Sequence, residues 1–297
     1  MIKVNKNWSN PLAGTPHISV ILPVFRAELT LASALQSVNA QGWSEKNLEI
    51  ILSIDDAKDY RWAKAYWPNI TFCYGHAPAT GAGAARNRGI LAASGRYLAF
   101  LDADDIWQDG YLDALYPAAK KHGLAFGKTV IHAHDGTFLM QLGDHEANRA
   151  ANHALNDIGG GQSRLKLEDF GALPGSFHPL MRRQLTPFFL KYPAQDVFHA
   201  MEVVAMHGNN APLVDEARYQ LNLGADSFTA SAGFSHRIDR SYRLMMQFVR
   251  SGQTQVPYRQ QVRVIRALQQ RRQWNQRYIR SGGKFASFYH FLADALA

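Results

Sequence analysis

Four apolar runs alternate with helical stretches over the first 105 residues, and two of those runs end in clustered acids. The runs are residues 17–25 (HISVILPVF), 48–56 (LEIILSIDD), 69–75 (NITFCYG) and 96–105 (RYLAFLDADD). Short, continuous apolar runs of this kind read as strands buried on both faces. Between the first two, Leu29, Leu31, Leu35 and Val38 recur at the spacing of one helix face, which predicts a helix over 28–41. Residues 61–67 read as helical, and residues 78–95 as a glycine-rich loop running into a helix. Strand and helix in alternation predict parallel βαβ units, hence an α/β fold. Ligands of such sheets bind beyond the carboxyl ends of the strands. Both acidic clusters fall at those ends.

Beyond residue 105 the pattern thins. Residues 111–123 read as a helix, and the text after it as a hairpin turning at Asp135-Gly136. A helix from about 146 and a loop at glycines 159–161 come next. The text QDVFHAMEVVAMHG is helical, residues 211–223 are strand-like, and from about 233 the chain is helical and rich in Arg and Gln.

Composition narrows the function classes. The 297 residues are 46% hydrophobic and 19% charged, which excludes a largely disordered chain. A formal net charge of +8 favours acidic partners: phosphates, nucleic acid or an anionic membrane surface. No nucleic-acid partner is expected, because aromatic and basic residues do not cluster on a strand and no zinc or helix-turn-helix pattern occurs. No apolar stretch reaches the roughly 18 residues of a membrane span, and the opening residues lack the apolar core of a signal peptide. The one cysteine, Cys73, leaves no intrachain disulfide and fits a reducing compartment. The expected location is therefore cytoplasmic, with any membrane contact peripheral.

Three elements carry candidate chemistry. The strongest is Leu101-Asp102-Ala103-Asp104-Asp105. Three carboxylates at a strand tip repel one another unless a cation neutralises them, so the text points to Mg²⁺ or Mn²⁺ bridging a diphosphate. The plainer reading is a helix cap supplied by Asp105. The second element runs from Gly81 to Gly89 and contains Gly83, Arg86 and Arg88. Its glycines permit close backbone approach, and a helix start suits phosphate. The third is Asp55-Asp56, where a turn-forming pair is the plainer reading.

Order and spacing together resemble glycosyltransferase family 2, whose members have the GT-A fold. Ser19-Val-Ile-Leu-Pro23-Val-Phe25-Arg-Ala-Glu28 is similar to the family's opening strand, Ile54-Asp55-Asp56 to its "VDDGS", and Gly81–Gly89 to "G-x-x-x-ARN-x-G". Ala93-Ser-Gly95-Arg-Tyr97-Leu-Ala-Phe100-Leu-Asp102-Ala103-Asp104-Asp105 is similar to "A-x-G-x-Y-x-x-FLDADD", which contains the family's DXD motif.

The resemblance implies a Rossmann-like sandwich with a mostly parallel central sheet and a C-terminal helical extension. It divides the chain into a catalytic domain at 1–232 and an extension at 233–297. Within the domain, a nucleotide-sugar half covers about 15–107 and an acceptor half about 108–232. It implies inverting transfer of a sugar, with UDP as the expected nucleotide, to an acceptor hydroxyl in polysaccharide or glycan assembly. Pro23, Phe25 and Glu28 would flank the nucleoside, Asp56 would contact the base, and Arg86, Asp102 and Ala103 would line the donor. Asp104 would ligate Mn²⁺ or Mg²⁺. The "ED" pair that supplies the general base corresponds to Gln195-Asp196, which makes Asp196 the base and Glu202 the fallback. The acceptor would be a carbohydrate or a lipid-linked glycan.

Departures occur at Gln195, at Asn222 where the family has His, and in Gln269-Gln-Arg-Arg272-Gln273-Trp274, whose spacing differs from "QxxRW". His236 is a substitute for the missing His. The basic C-terminal helices, with Trp274, Tyr278, Phe285 and Phe288, offer an amphipathic surface for anionic lipid or else a solvated bundle. The alternatives are a dinucleotide-binding oxidoreductase, suggested by Gly81-x-Gly83 upstream of Asp102, and an inactive relative that only binds.

Overall fold

The computed structural model describes residues 17–142, 163–172, 178–224 and 232–296. The expected helix from about 146, the glycines at 159–161 and the segment Gly175 to Phe177 lie outside the described residues. Strands are β1 (Ile18–Val24), β2 (Leu48–Ile54), β3 (Thr71–Tyr74), β4 (Tyr97–Phe100), β5 (Ile106–Trp107), β6 (Leu124–His132), β7 (Phe138–Leu142), β8 (Ser163–Leu165), β9 (Leu180–Arg182) and β10 (Ala211–Asn222). Helices are α1 (Leu31–Asn39), α2 (Ala82–Ala92), α3 (Tyr111–His122), α4 (Asp169–Ala172), α5 (Gln195–Met206), α6 (Ala232–Arg250), α7 (Gln261–Arg280) and α8 (Phe288–Leu296). The chain forms two units. The first comprises residues 1–127, 178–191 and 216–219, and the second the remainder.

The sheet runs β3-β2-β1-β4-β9-β6-β10-β5; residues 124–127 of β6 and 216–219 of β10 belong to the first unit and the rest of those two strands to the second. The strands β3, β2, β1 and β4 are parallel, and β9 pairs antiparallel with both β4 and β6. Ile18, Val20, Ile21 and Leu22 of the central β1 are fully buried, as a strand covered on both faces requires. Helix α2 lies against β1 through Gly89, where an added Cβ would stand 2.4 Å from Ile21 Cγ2. Ile21 belongs to a buried cluster with Ile51, Ile90, Leu98 and Phe100, so it has no room to yield. Gly89→Val is therefore expected to destabilise the protein by about 1–3 kcal/mol through overpacking. A thermal melt indistinguishable from the parent would refute this.

Three local readings need correction. Helix α1 starts at Leu31, and Leu29 is 95% exposed in the turn before it. The cause is upstream: Arg26 and Ala27 are tied by their N–H groups to Asp56 and Tyr60, and Thr30 and Leu31 both bond to the Ala27 carbonyl. Residues 61–67 form only a 3₁₀ turn at Arg61–Ala65. Strand β4 ends at Phe100, so the acids occupy a turn closed by Asp105 N–H on the Asp102 carbonyl. A strand, β5, follows Asp105 directly, and α3 begins only after Gly110, so Asp105 caps no helix.

In the second unit β6 and β7 form the expected hairpin, with Gly136 at φ 82° in its turn. Strand β8 adds to the start of β10. The C-terminal region is helical. Helices α6 and α7 are joined by Arg272 on Asp239 and by Asn275 on the Ser235 carbonyl. Trp274, Tyr278, Phe285 and Phe288 all contact the ring of Phe291; Tyr278 is buried and the other three are half-buried. Among the described residues no helix is long and apolar enough to cross a membrane.

Candidate active site

Two pairs of crossing segments hold the acids at the carboxyl ends of β1, β2 and β4. After β2, Asp56 accepts from the Arg26 N–H and, at 2.8 Å, from the Tyr60 hydroxyl. Tyr60 in turn accepts the Ala27 N–H at 3.1 Å, and Lys58 pairs with Glu28. The loop carrying Phe25 and Glu28 is thereby fixed to the loop carrying Asp56. Burial and the neighbouring Asp56 carboxylate push the Tyr60 hydroxyl far above its ordinary range, so it stays a donor.

The neighbouring Asp55 is buried and does different work. It accepts from the Thr80 hydroxyl, from Gly81 N–H at 2.8 Å and from Arg88 at 2.8 Å. A carboxylate thus occupies the amino-terminal end of α2, where a dinucleotide pyrophosphate would need open N–H groups and no negative charge. The glycine-rich element serves packing at Gly89 and a bond to Asp55 at Gly81. Both observations disfavour the oxidoreductase alternative.

The three acids after β4 have separate environments. Asp102 pairs with Arg86, has His178 Nε2 at 3.7 Å, and its own N–H reaches the Tyr219 hydroxyl at 3.1 Å. Burial favours a neutral Asp102, but the charge of Arg86 and the nearby His178 outweigh it and hold the carboxyl well below its usual range. Asp105 is buried and accepts from the Tyr219 hydroxyl at 2.7 Å. Asp104 keeps solvent contact, yet surrounding protein desolvates it and the Asp102 charge adds to the effect, so its pKa rises to about 6. Ala103 between them is buried. Arg86 is 1% exposed, with its guanidinium 5.3 Å from the centre of the Phe189 ring.

Pro23, Phe25, Glu28, Asp56, Arg86, Asp102, Ala103 and Asp104 all belong to the first unit. Asp196 belongs to the second, in the first turn of α5, where it accepts the Val197 N–H at 2.8 Å. The residue before the helix, Ala194, has φ 58°. Glu202 is buried and accepts the Gln255 N–H. His236 is exposed on α6, and Asn222 accepts from Gln220 at 2.9 Å.

Sequence reasoning named Asp55 only as one of a candidate pair with Asp56, and gave no role to Tyr60, Arg88, His178 or Tyr219. Adjacent acids at a strand end, whose side chains alternate in direction, are the one signal that separates Asp55 from Asp56.

Residues 19–184, more than half of the chain, match the family described as Glycosyl transferase family 2. The chain belongs to glycosyl transferase family 2. It is 32% identical over 111 residues to the UDP-Glc:alpha-D-GlcNAc-diphosphoundecaprenol beta-1,3-glucosyltransferase WfgD of Escherichia coli, covering 37% of this chain and 43% of that protein. The chain spans less than half the length of the first curated relatives it matches. Among solved structures, S. aureus TarS 1–349 in complex with UDP superposes at a TM-score of 0.57 with 16% identity, over 84% of this chain and 69% of that one. The mannosyltransferase PcManGT from Pyrobaculum calidifontis, in complex with GDP-Man and Mn²⁺, gives 0.54 with 15% identity, over 95% and 74%. The family-2 chain thus has the α/β fold of the GT-A type, with a helical C-terminal region.

Proposed function

We propose that this family-2 protein is an inverting glycosyltransferase that moves a sugar from UDP to an acceptor hydroxyl in polysaccharide or glycan assembly. The observation that carries the reading is the split environment of Asp102 and Asp104. One is paired with the buried Arg86 and the other, two residues on, is exposed to solvent at the same strand end. The name of WfgD supplies a UDP-sugar donor and a lipid-diphosphate-linked acceptor, and TarS was crystallised with UDP. Pro23, Phe25 and Glu28 flank the nucleoside in this reading, Asp56 meets the base, and Arg86, Asp102 and Ala103 line the diphosphate and sugar. The catalytic domain is residues 1–232, and 233–297 is the helical extension. The exposed arginines of that extension are the proposed contact for an anionic membrane face, from a cytoplasmic location.

The residues fit a divalent ion in one manner. Among the described residues no three His, Cys, Asp or Glu side chains gather into a ligand set. Mg²⁺ and Mn²⁺ sites commonly take one or two carboxylates and complete their shell with substrate phosphates and water. Asp104 suits that arrangement, because a cation would offset the burial, and after it the Asp102 charge, that raise its pKa. When bound, the ion supplies positive charge to the departing diphosphate. Asp196 takes the acceptor proton as the acceptor oxygen bonds to the anomeric carbon, and the bond from that carbon to the diphosphate oxygen breaks on the opposite face.

A thermal-shift panel of nucleotide sugars, with and without Mn²⁺, tests the reading. Metal-dependent stabilisation by UDP-sugars is the expected result, and no response to any nucleotide sugar would overturn it. Asp104→Asn is expected to weaken Mn²⁺-dependent UDP binding at least tenfold. Protonation competes with the metal, so wild-type binding should weaken as pH falls through about 6, by up to about tenfold per unit. Calorimetry with a UDP-sugar, whose diphosphate has no proton to lose near pH 6, should show no such pH dependence in the variant.

A further inference from the structure

A cavity of about 290 Å³ in the first unit is lined by Arg96, Lys120, Arg182 and Arg183, with Tyr97 and Tyr116 among its walls. We infer that this cavity is a second anion site, separate from the donor site, that takes a phosphate monoester or diester.

Its position comes from the sheet. Tyr97 is the first residue of β4, paired with Ile18 at the start of β1, whereas the acids follow Phe100 at the other end. Four strand residues span roughly 13 Å. The cavity therefore opens at the amino-terminal edge of the strands, away from the edge where parallel sheets bind their substrates.

Charge sets the ligand class. Arg96, Lys120 and Arg182 are exposed, and none joins an acid in the ion pairs among the described residues. The carboxyl end of α3 accounts for Lys120, which sits in its last turn where cations are favoured. Arg182 makes one long contact there, 3.4 Å to the Lys120 carbonyl. Arg96 precedes β4 just after the Ser94-Gly95 turn that Glu49 holds; that carboxylate is taken up by Ser19, Ser94 and Gly95 and forms no ion pair with Arg96. Converging cations over a concave wall concentrate anions, and guanidinium forks match phosphate oxygens two at a time. The Tyr116 ring is held edge-on to Trp43 and Tyr97, and its hydroxyl is bonded to His17 at 2.8 Å, which gives the cations a rigid wall. The volume is at the small end of ligand pockets, which start at about 300 Å³. It admits a phosphate with a short polyol and is too small to enclose a nucleotide sugar.

The phosphate has two sources, a soluble phosphate ester or the headgroup of an anionic lipid, and the experiment separates them. The full chain is titrated with sn-glycerol 3-phosphate by calorimetry and, independently, floated with phosphatidylglycerol vesicles. The variants are Arg96→Gln alone, an exposed side chain outside the donor site, and Arg96→Gln with Lys120→Gln and Arg182→Gln. UDP binding with Mn²⁺ is the control for folding and for the donor site. Binding of glycerol 3-phosphate that falls at least tenfold in the triple variant and severalfold in Arg96→Gln, with UDP affinity unchanged, supports a soluble ester. Vesicle binding lost in the same variants, without glycerol 3-phosphate binding, supports a lipid headgroup. Neither probe binding the wild type, equal binding by the variants, or displacement of glycerol 3-phosphate by UDP would each overturn the inference.

Discussion

Replacing Asp196 by asparagine is expected to lower glycosyl transfer by about 10²–10⁴-fold, the usual contribution of a positioned general base. Nucleotide-sugar affinity should be unaffected. Asparagine has the shape of aspartate, and its carbonyl oxygen can still accept the Val197 N–H that the carboxylate accepts now. The amide cannot take up the acceptor's proton, so the loss should appear in the rate of transfer. Single-turnover transfer measured beside calorimetric UDP binding separates the two. Transfer at the parental rate would dismiss Asp196 as the base.

Glu202 gives an internal control for the same experiment. It is 4% exposed and accepts the Gln255 N–H, which a glutamine carbonyl can accept too, so Glu202→Gln is expected to leave transfer intact. Loss of transfer in Glu202→Gln with retention in Asp196→Asn would exchange the two roles. Gln195 bears on the assignment as well. Its side chain is buried, and a glutamate there would set a second negative charge beside Asp196. The neutral amide avoids burying that charge.

The parallel half of the sheet was legible because β1, β2 and β4 are buried on both faces and therefore appear as unbroken apolar runs. Leu29 was misplaced because hydrophobic spacing cannot register that Asp56, thirty residues beyond Arg26, has already turned the chain. The strands β5 and β9 have two and three residues, too short for any period, and their pairing is set by distant segments. The acidic cluster was legible as a site, but its division of labour was not. Arg86, His178 and Tyr219 decide which acid is ionised, which is buried and which meets solvent, and the last two lie 76 and 117 residues beyond Asp102. Glu49 is the same lesson in the scaffold. It accepts from Ser19, Ser94 and Gly95, and so anchors the turn between α2 and β4 that delivers the acids.

The largest expected stability effect belongs to Arg86→Met. Arg86 is fully enclosed by the first unit, and its guanidinium neutralises Asp102 beside the Phe189 ring. Methionine fills much of the space of the arginine stem but leaves the carboxylate without its cation. Losing one partner of a buried pair costs about 3–5 kcal/mol, and the lower end applies because Asp102 retains His178 and some solvent contact. The melting temperature should fall by roughly 6–12 °C. The sign of the pH dependence follows from the depressed pKa of Asp102. The pair's stabilisation is complete above the ordinary carboxylate range, near pH 4, and is lost as pH falls below it. The gap between parent and variant should therefore be widest near neutrality and narrow in acid. Arg86→Met with Asp102→Asn removes the stranded charge, so the double variant should be more stable than Arg86→Met alone. If the double variant instead loses the sum of the two single effects, Arg86 acts through contacts other than Asp102. The same pair of variants reports on the site: a role for Arg86 in holding Asp102 predicts that UDP binding suffers equally in both, whereas direct contact with the nucleotide predicts that each substitution weakens it separately.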